Sequence, residues 1–182
     1  MSVVIAIKDK DRIYVGCDSR MSSQEDYYDS YYSRPKAYKL ENGLIVAGVG
    51  NIGIVDILAD VAKGITKLTH DIVVSKIAVP LFNKLSGTVM VNNGELDGSL
   101  LVAKDDMCFI ISSICTVEEV YNYNAIGSGK STAMGSLYST FYMKNPEKRI
   151  VEAIKATSAS ILTVSSEAYV ADTKTNDFRK LA

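Results

Sequence analysis

The segment Gly127-Ser128-Gly129-Lys130-Ser131-Thr132 ends like a phosphate-binding loop, in which glycines bring backbone N–H groups to a phosphate and a lysine neutralises it. The full pattern places a glycine five residues before the second one, and that position is Asn124. Nucleotide binding is therefore the weaker reading. The stronger one is a glycine-permitted turn with Ser128 or Ser131 capping a helix N-terminus. The second candidate is Ser2. A residue this small permits removal of Met1, which would leave a serine with a free α-amine. An α-amine titrates at about 7.7 to 8.0, so near neutral pH a useful fraction can accept the hydroxyl proton. Nucleophile and base then sit on one residue. A retained Met1 would block the amine and abolish that chemistry.

His70 is the sole histidine. It leaves a Ser-His or Cys-His dyad one possible base and excludes metal sites built from two or three imidazoles; at a helix start it reads as a surface or cap residue. Cys17, Cys108 and Cys115 show no metal-ligand spacing and are odd in number, so neither a disulfide framework nor a zinc site is indicated. Cys17, next to Asp18, reads as a small buried residue. We expect no metal and no cofactor.

With 20 Lys plus Arg against 21 Asp plus Glu in 182 residues, the net charge of −1 argues against a surface devoted to nucleic acid or anionic lipid. The N-terminus lacks the basic and apolar regions of a signal peptide, and no stretch reaches the roughly 18 apolar residues of a membrane helix. A cytoplasmic protein is expected. There is no repeat, low-complexity tract or linker, so residues 1–182 read as one domain.

The elements that must position these residues follow from the hydrophobic patterns. Val3 to Ile7 and Arg12 to Gly16 read as a hairpin around four polar residues, and Tyr38 to Leu40 and Leu44 to Val49 as another, turned at Asn42-Gly43. Between them the tyrosine-rich stretch 22–33, with Tyr27, Tyr28, Tyr31 and Tyr32, reads as a surface loop or interface. Ile54, Ile57, Leu58, Val61, Ile65 and Leu68 fall on one helical face, and a second helix over 71–85 should kink at Pro80. Strands over 100–103 and 108–112, two more before Gly127, helices over 130–143 and 147–162, and strands over 168–173 and 178–181 complete the chain. Blocks of strands and helices in this order predict an α+β fold: a four-layer αββα sandwich of two antiparallel sheets flanked by helix pairs.

Ser2-Val-Val-Ile-Ala-Ile-Lys, Val15-Gly-Cys-Asp-Ser-Arg-Met-Ser22, Lys36-Ala-Tyr-Lys-Leu40, Val46-Ala-Gly-Val-Gly50 and Ala125-Ile-Gly-Ser-Gly129, in this order, resemble the proteasome β-subunit family, in particular the bacterial HslV type. The resemblance implies an N-terminal nucleophile peptidase that needs no histidine. Ser2 takes the place of the family's threonine. Asp18 matches the aspartate ending the second strand, and Lys36 the lysine that supports the nucleophile. The carboxylate would fix the ammonium, and the ammonium would favour the neutral amine. Gly48 matches the glycine whose amide faces the oxyanion, and Ser128 the serine beside the amino group. Lys130 receives no role. Ser2 lacks the methyl that restricts a threonine rotamer, and the aspartate usual after the fourth helix has no counterpart, with Ser160 as its substitute.

Substrate is expected to add as a strand along Arg20, Met21 and Ser22 and along Val46 to Gly50, with Met21 and Tyr38 lining the first side-chain pocket. The resemblance further implies peptide or unfolded-protein substrates, a homo-oligomeric ring or related assembly, and room for an ATP-driven unfoldase partner. The alternatives are an inactive assembly subunit and, less favoured, a P-loop module.

Overall fold

The structure is a computed structural model that describes residues 2–22, 27–29 and 36–182. From the N-terminus run β1 (Val4–Asp9), β2 (Arg12–Asp18), β3 (Arg20–Ser22), β4 (Tyr27–Asp29), β5 (Ala37–Lys39) and β6 (Ile45–Gly50), then α1 (Gly53–Ala62). A continuous helical stretch over 70–85 comprises α2 (His70–Ile72), a π-helical Val73–Ala78 and α3 (Val79–Leu85). Next come β7 (Val91–Asn92), β8 (Glu95–Leu96), β9 (Gly98–Lys104), β10 (Met107–Ile111), β11 (Val117–Glu119) and β12 (Tyr123–Ile126). Helices α4 (Lys130–Ser139) and α5 (Pro146–Ser160) precede β13 (Ala168–Asp172) and β14 (Arg179–Lys180).

Two antiparallel sheets hold most of the strands, one in the order β12-β1-β2-β13-β14 and the other β11-β10-β9-β6-β5. Because side chains alternate across a strand, each sheet feeds two apolar layers. In β1, Val4 and Ala6 face the other sheet and meet Ile45, Ala47, Leu101 and Ala103. Ile5 and Ile7 face the opposite way and pack with Ile150, Ala153 and Ile154 of α5. The second sheet repeats this arrangement: Val46, Leu100, Val102 and Phe109 turn outward onto α1 and the 70–85 helix. Helix layers cover the outer face of each sheet, as the pattern of strand and helix blocks predicts. A Cβ on Gly16 would lie 2.2 Å from Ile150, so α5 packs on β2 at a distance only glycine allows.

Several boundaries differ from expectation. Helix α1 ends at Ala62, and Ile65 and Leu68 lie beyond it. The Asn42 side-chain amide, reaching over from the hairpin turn, donates to the carbonyls of Ala62, Lys63 and Ile65 and satisfies the open helix end. Pro80 occupies the first turn of α3 and does not break the helix. The π-helical turn before it, in which the Val79 N–H reaches Val74 O, accommodates the ring. Tyr27–Asp29, read as part of a loop, pairs with β3 as a short ribbon; Tyr31 and Tyr32 lie outside the described residues. The β7–β8 ribbon has no counterpart in the sequence reading. No described helix is long and apolar enough to cross a membrane.

Candidate active site

Strands β1 and β2 pair antiparallel with Val4 opposite Cys17, which sets the start of the chain beside the end of β2. Asp18 stands there fully buried. Its Oδ1 accepts from the backbone N–H of Val3 at 3.0 Å and meets Lys36 Nζ at 2.7 Å. Its Oδ2 accepts from the N–H groups of Arg20 at 3.0 Å and Ser165 at 3.2 Å. Four donors use the acceptor capacity of a carboxylate. Lys36 is 2 % exposed, so this is a dry ion pair, and such pairs survive only when well hydrogen-bonded. One oxygen thus ties the residue next to Ser2 to the Lys36 ammonium.

The loop 127–129 closes on Ser2 from the other side. Gly129 N–H donates to Ser2 O at 3.4 Å and Ser128 Oγ at 3.5 Å. Gly127 has φ +99°, and a Cβ there would stand 2.1 Å from Ser2 O; a Cβ on Gly129 would meet Val3 and Thr157. The glycines of the Gly-Ser-Gly motif are therefore required by the close approach of two backbones. The expected side-chain cap is absent: Gly129 is the N-cap of α4 and no side chain bonds there. Strand β12, which leads into the loop, pairs antiparallel with β1 and lies at the sheet edge. This is not the parallel strand-loop-helix of a phosphate-binding loop.

Ser2 is nearly buried, at 7 % exposure, and opens into a cleft of about 470 Å³ that Val49, Gly50, Gly127 and Ser128 also line. Gly48 does not line it, and its N–H donates to Lys36 O at 2.9 Å. The expectation that the Gly48 amide faces an oxyanion is corrected: the ladder between β5 and β6 consumes it. The next N–H on the same side belongs to Gly50. A Cβ on Gly98 would lie 2.1 Å from Val49 O, so that carbonyl points at β9. Across the trans peptide the Gly50 N–H points the opposite way, past the end of β5. Gly50 has φ +93°, a conformation that favours glycine.

Ser160 is also corrected. It is exposed, and its Oγ bonds to Ala156 O, Thr157 O and Thr132 Oγ1 at the end of α5. Ser165 is the residue that reaches Asp18 from the α5–β13 connection, through its backbone N–H. Only the run of serines over 158–166 hinted at it. Arg20 Nη1 donates to Leu162 O at 2.9 Å and joins β3 to the same connection. Met21 and Ser22 continue β3, paired with Tyr28 and Tyr27. Tyr38 projects from β5 to α1, where its hydroxyl donates to Val55 O and Asp56 Oδ1; burial and the Asp56 carboxylate push its pKa up to about 12. It does not line the Ser2 cleft.

The remaining chemical candidates lie apart. Cys17 is fully buried and its thiol is pushed up to about 12 by desolvation, which suits a core residue and not a nucleophile. His70 is exposed, begins α2 behind the cap Thr69, and packs edge-on against Phe109. Among the described residues no group of three or more His, Cys, Asp or Glu could hold a metal ion.

Sequence and fold comparisons agree with this fold. Residues 2–174 match the proteasome subunit family. Comparison with curated proteins returns no match. Among solved structures, Thiobacillus denitrificans BPH in complex with epoxomicin superposes with a TM-score of 0.78 at 18 % identity, over 99 % of both chains. A second structure of Thiobacillus denitrificans BPH gives 0.78 at 17 % identity, over 99 % of this chain and 98 % of that one. HslV from Trypanosoma brucei gives 0.72 at 15 % identity, over 93 % of this chain and 98 % of that one. At these identities the structural likeness speaks to the fold.

Proposed function

The chain belongs to the proteasome subunit family, and on that footing we propose that it is an N-terminal nucleophile peptidase whose nucleophile is Ser2, freed by removal of Met1. The observation that carries this reading is the double use of Asp18 Oδ1, which binds the Val3 N–H and the Lys36 ammonium together. That contact fixes the residue following the nucleophile and sets the Lys36 ammonium near the place of its amine. A nearby cation favours the neutral, proton-accepting form of an amine.

The Ser2 amine takes the hydroxyl proton while Oγ attacks a peptide carbonyl. A C–O bond forms, and the developing oxyanion receives the Gly50 N–H, which points past β5 into the open edge. The proton then passes to the leaving nitrogen, the C–N bond breaks, and water hydrolyses the acyl-enzyme by the reverse path. Ser128, within reach of Ser2 O, orients the amino group or a water beside it. Substrate lies as a strand between β3 (Arg20, Met21, Ser22) and Gly50.

The family favours self-assembly of this single domain into a homo-oligomer in the cytoplasm, with peptide or unfolded protein as substrate and an ATP-dependent unfoldase as a candidate partner. Exposed aromatic side chains at the end of α4, Tyr138, Phe141 and Tyr142, supply apolar surface suited to association. The test is intact-mass analysis with an epoxyketone. A single adduct on a chain lacking Met1, lost in Ser2→Ala, supports the reading; a retained Met1 and no adduct would mark an inactive assembly subunit.

A further inference from the structure

The Ser2 cleft extends well beyond what the attack on a carbonyl requires, and it extends in one direction. Its wall runs from Val49 and Gly50 on β6 through Gly98 and Ser99 on β9 and Ile110 on β10 to Glu118 on β11. In the sheet order β11-β10-β9-β6-β5 this is away from β5. The Gly50 N–H points the other way, toward the side where β3 would hold the acyl half of a substrate. A chain that crosses Ser2 from that side has the cleft in front of it. We infer, building on the peptidase reading above, that the cleft receives the leaving half of the cleaved peptide and that Lys130 selects for acidic side chains there.

Lys130 is placed for this by the same turn that positions Ser2. Its backbone N–H donates to Gly127 O at 3.1 Å, and Gly127 packs its Cα against Ser2 O. Lys130 is exposed and is one of the residues that line the cleft, and among the described residues it makes no ion pair. Glu118 is on the outermost strand, at the far end of the wall, and likewise makes no ion pair among the described residues. The near end of the cleft therefore carries a basic residue and the far end an acidic one, and Ser99, Ser112 and Ser113 also line it. An acidic side chain in the first or second position after the scissile bond meets Lys130. The leaving amine, which takes the Ser2 proton as the C–N bond breaks, forms at the mouth of this cleft.

The test uses two internally quenched peptides that differ only by Asp or Lys in the two positions after the cleavage point, with the cut mapped by product mass. The Asp:Lys ratio of kcat/KM is measured for the wild type, Lys130→Ala and Lys130→Glu. Because the ratio is taken within one variant, loss of folded protein or of nucleophile cancels. We expect a wild-type preference for Asp of about threefold to fivefold, the size of a solvent-screened ion pair, abolished in Lys130→Ala and inverted in Lys130→Glu. Equal ratios in all three proteins would overturn the inference while leaving the peptidase intact. No cleavage and no epoxyketone adduct in the wild type would overturn the peptidase reading, and this inference with it.

Discussion

Asp18 and Lys36 meet at 2.7 Å in a place closed to water. Three backbone N–H groups, from Val3, Arg20 and Ser165, complete the carboxylate shell and bind the chain start, β3 and the α5–β13 connection to one side chain. The asymmetry of that shell has a consequence for mutants. Lys36→Met leaves a carboxylate still held by three amides, whereas Asp18→Asn offers one acceptor oxygen where two were used. Thermal unfolding should show each variant destabilised by about 3 kcal/mol or more, the usual scale for breaking a buried pair, with Asp18→Asn the more damaging of the two. Equal losses would mean that the amides contribute little.

Two glycine-to-alanine changes should act in opposite directions. Gly127→Ala puts a Cβ 2.1 Å from Ser2 O at a φ of +99°. It should destabilise by at least about 1 kcal/mol, as alanine does at positive φ, and abolish epoxyketone labelling. Gly135 is exposed within α4, and a Cβ added there would meet nothing within 4 Å, so Gly135→Ala should stabilise by roughly 0.5 to 1 kcal/mol through helix propensity. Denaturant midpoints report both.

Acid should expose a different carboxylate. Asp172 is buried, which by itself raises its pKa, but N–H and O–H donors from Thr175, with Lys174 and Asn176, outweigh that and hold it at about 2. The folded value lies below the unfolded one, so the associated stability is fully present above about pH 4 and is lost as pH falls toward 2. Asp172→Asn should therefore be less stable near pH 7 by on the order of 2 kcal/mol, with the gap closing by pH 2. A gap independent of pH would show that shape and not charge is lost.

Thiol reagents should separate the cysteines. Burial raises all three thiols above their ordinary value, but Cys17 and Cys108 are wholly enclosed while Cys115 is partly open. In the native protein iodoacetamide should label Cys115 first, and Ser2 chemistry should survive that labelling.

Much of the fold is legible in the sequence, for identifiable reasons. The β-branched runs at 3–7 and 44–49 and the Asn42-Gly43 turn are local signals, and both hairpins form, with Gly43 at φ +80°. Lys36 and Asp18 are legible as a pair through the family motifs. What stays hidden is set by partners far away in sequence. Whether Gly48 or Gly50 keeps an amide for the substrate depends on where β5 stops pairing with β6. That is a register question, and Val46-Ala-Gly-Val-Gly50 alone does not decide it. Ser160 loses its expected place because α5 runs through it, and Ser165 gains one because the connection to β13 folds back on Asp18. The close approach that requires Gly127 is visible only once the first residues of the chain lie against it.

The central claim is that Ser2, as a free N-terminus, is the nucleophile. Intact-mass and peptide-level analysis of the purified protein, before and after an epoxyketone, tests it most directly. The account predicts a chain beginning at Ser2 that gains one inhibitor mass on that residue, with no gain in Ser2→Ala. A chain that keeps Met1, or an adduct that persists in Ser2→Ala, would contradict it.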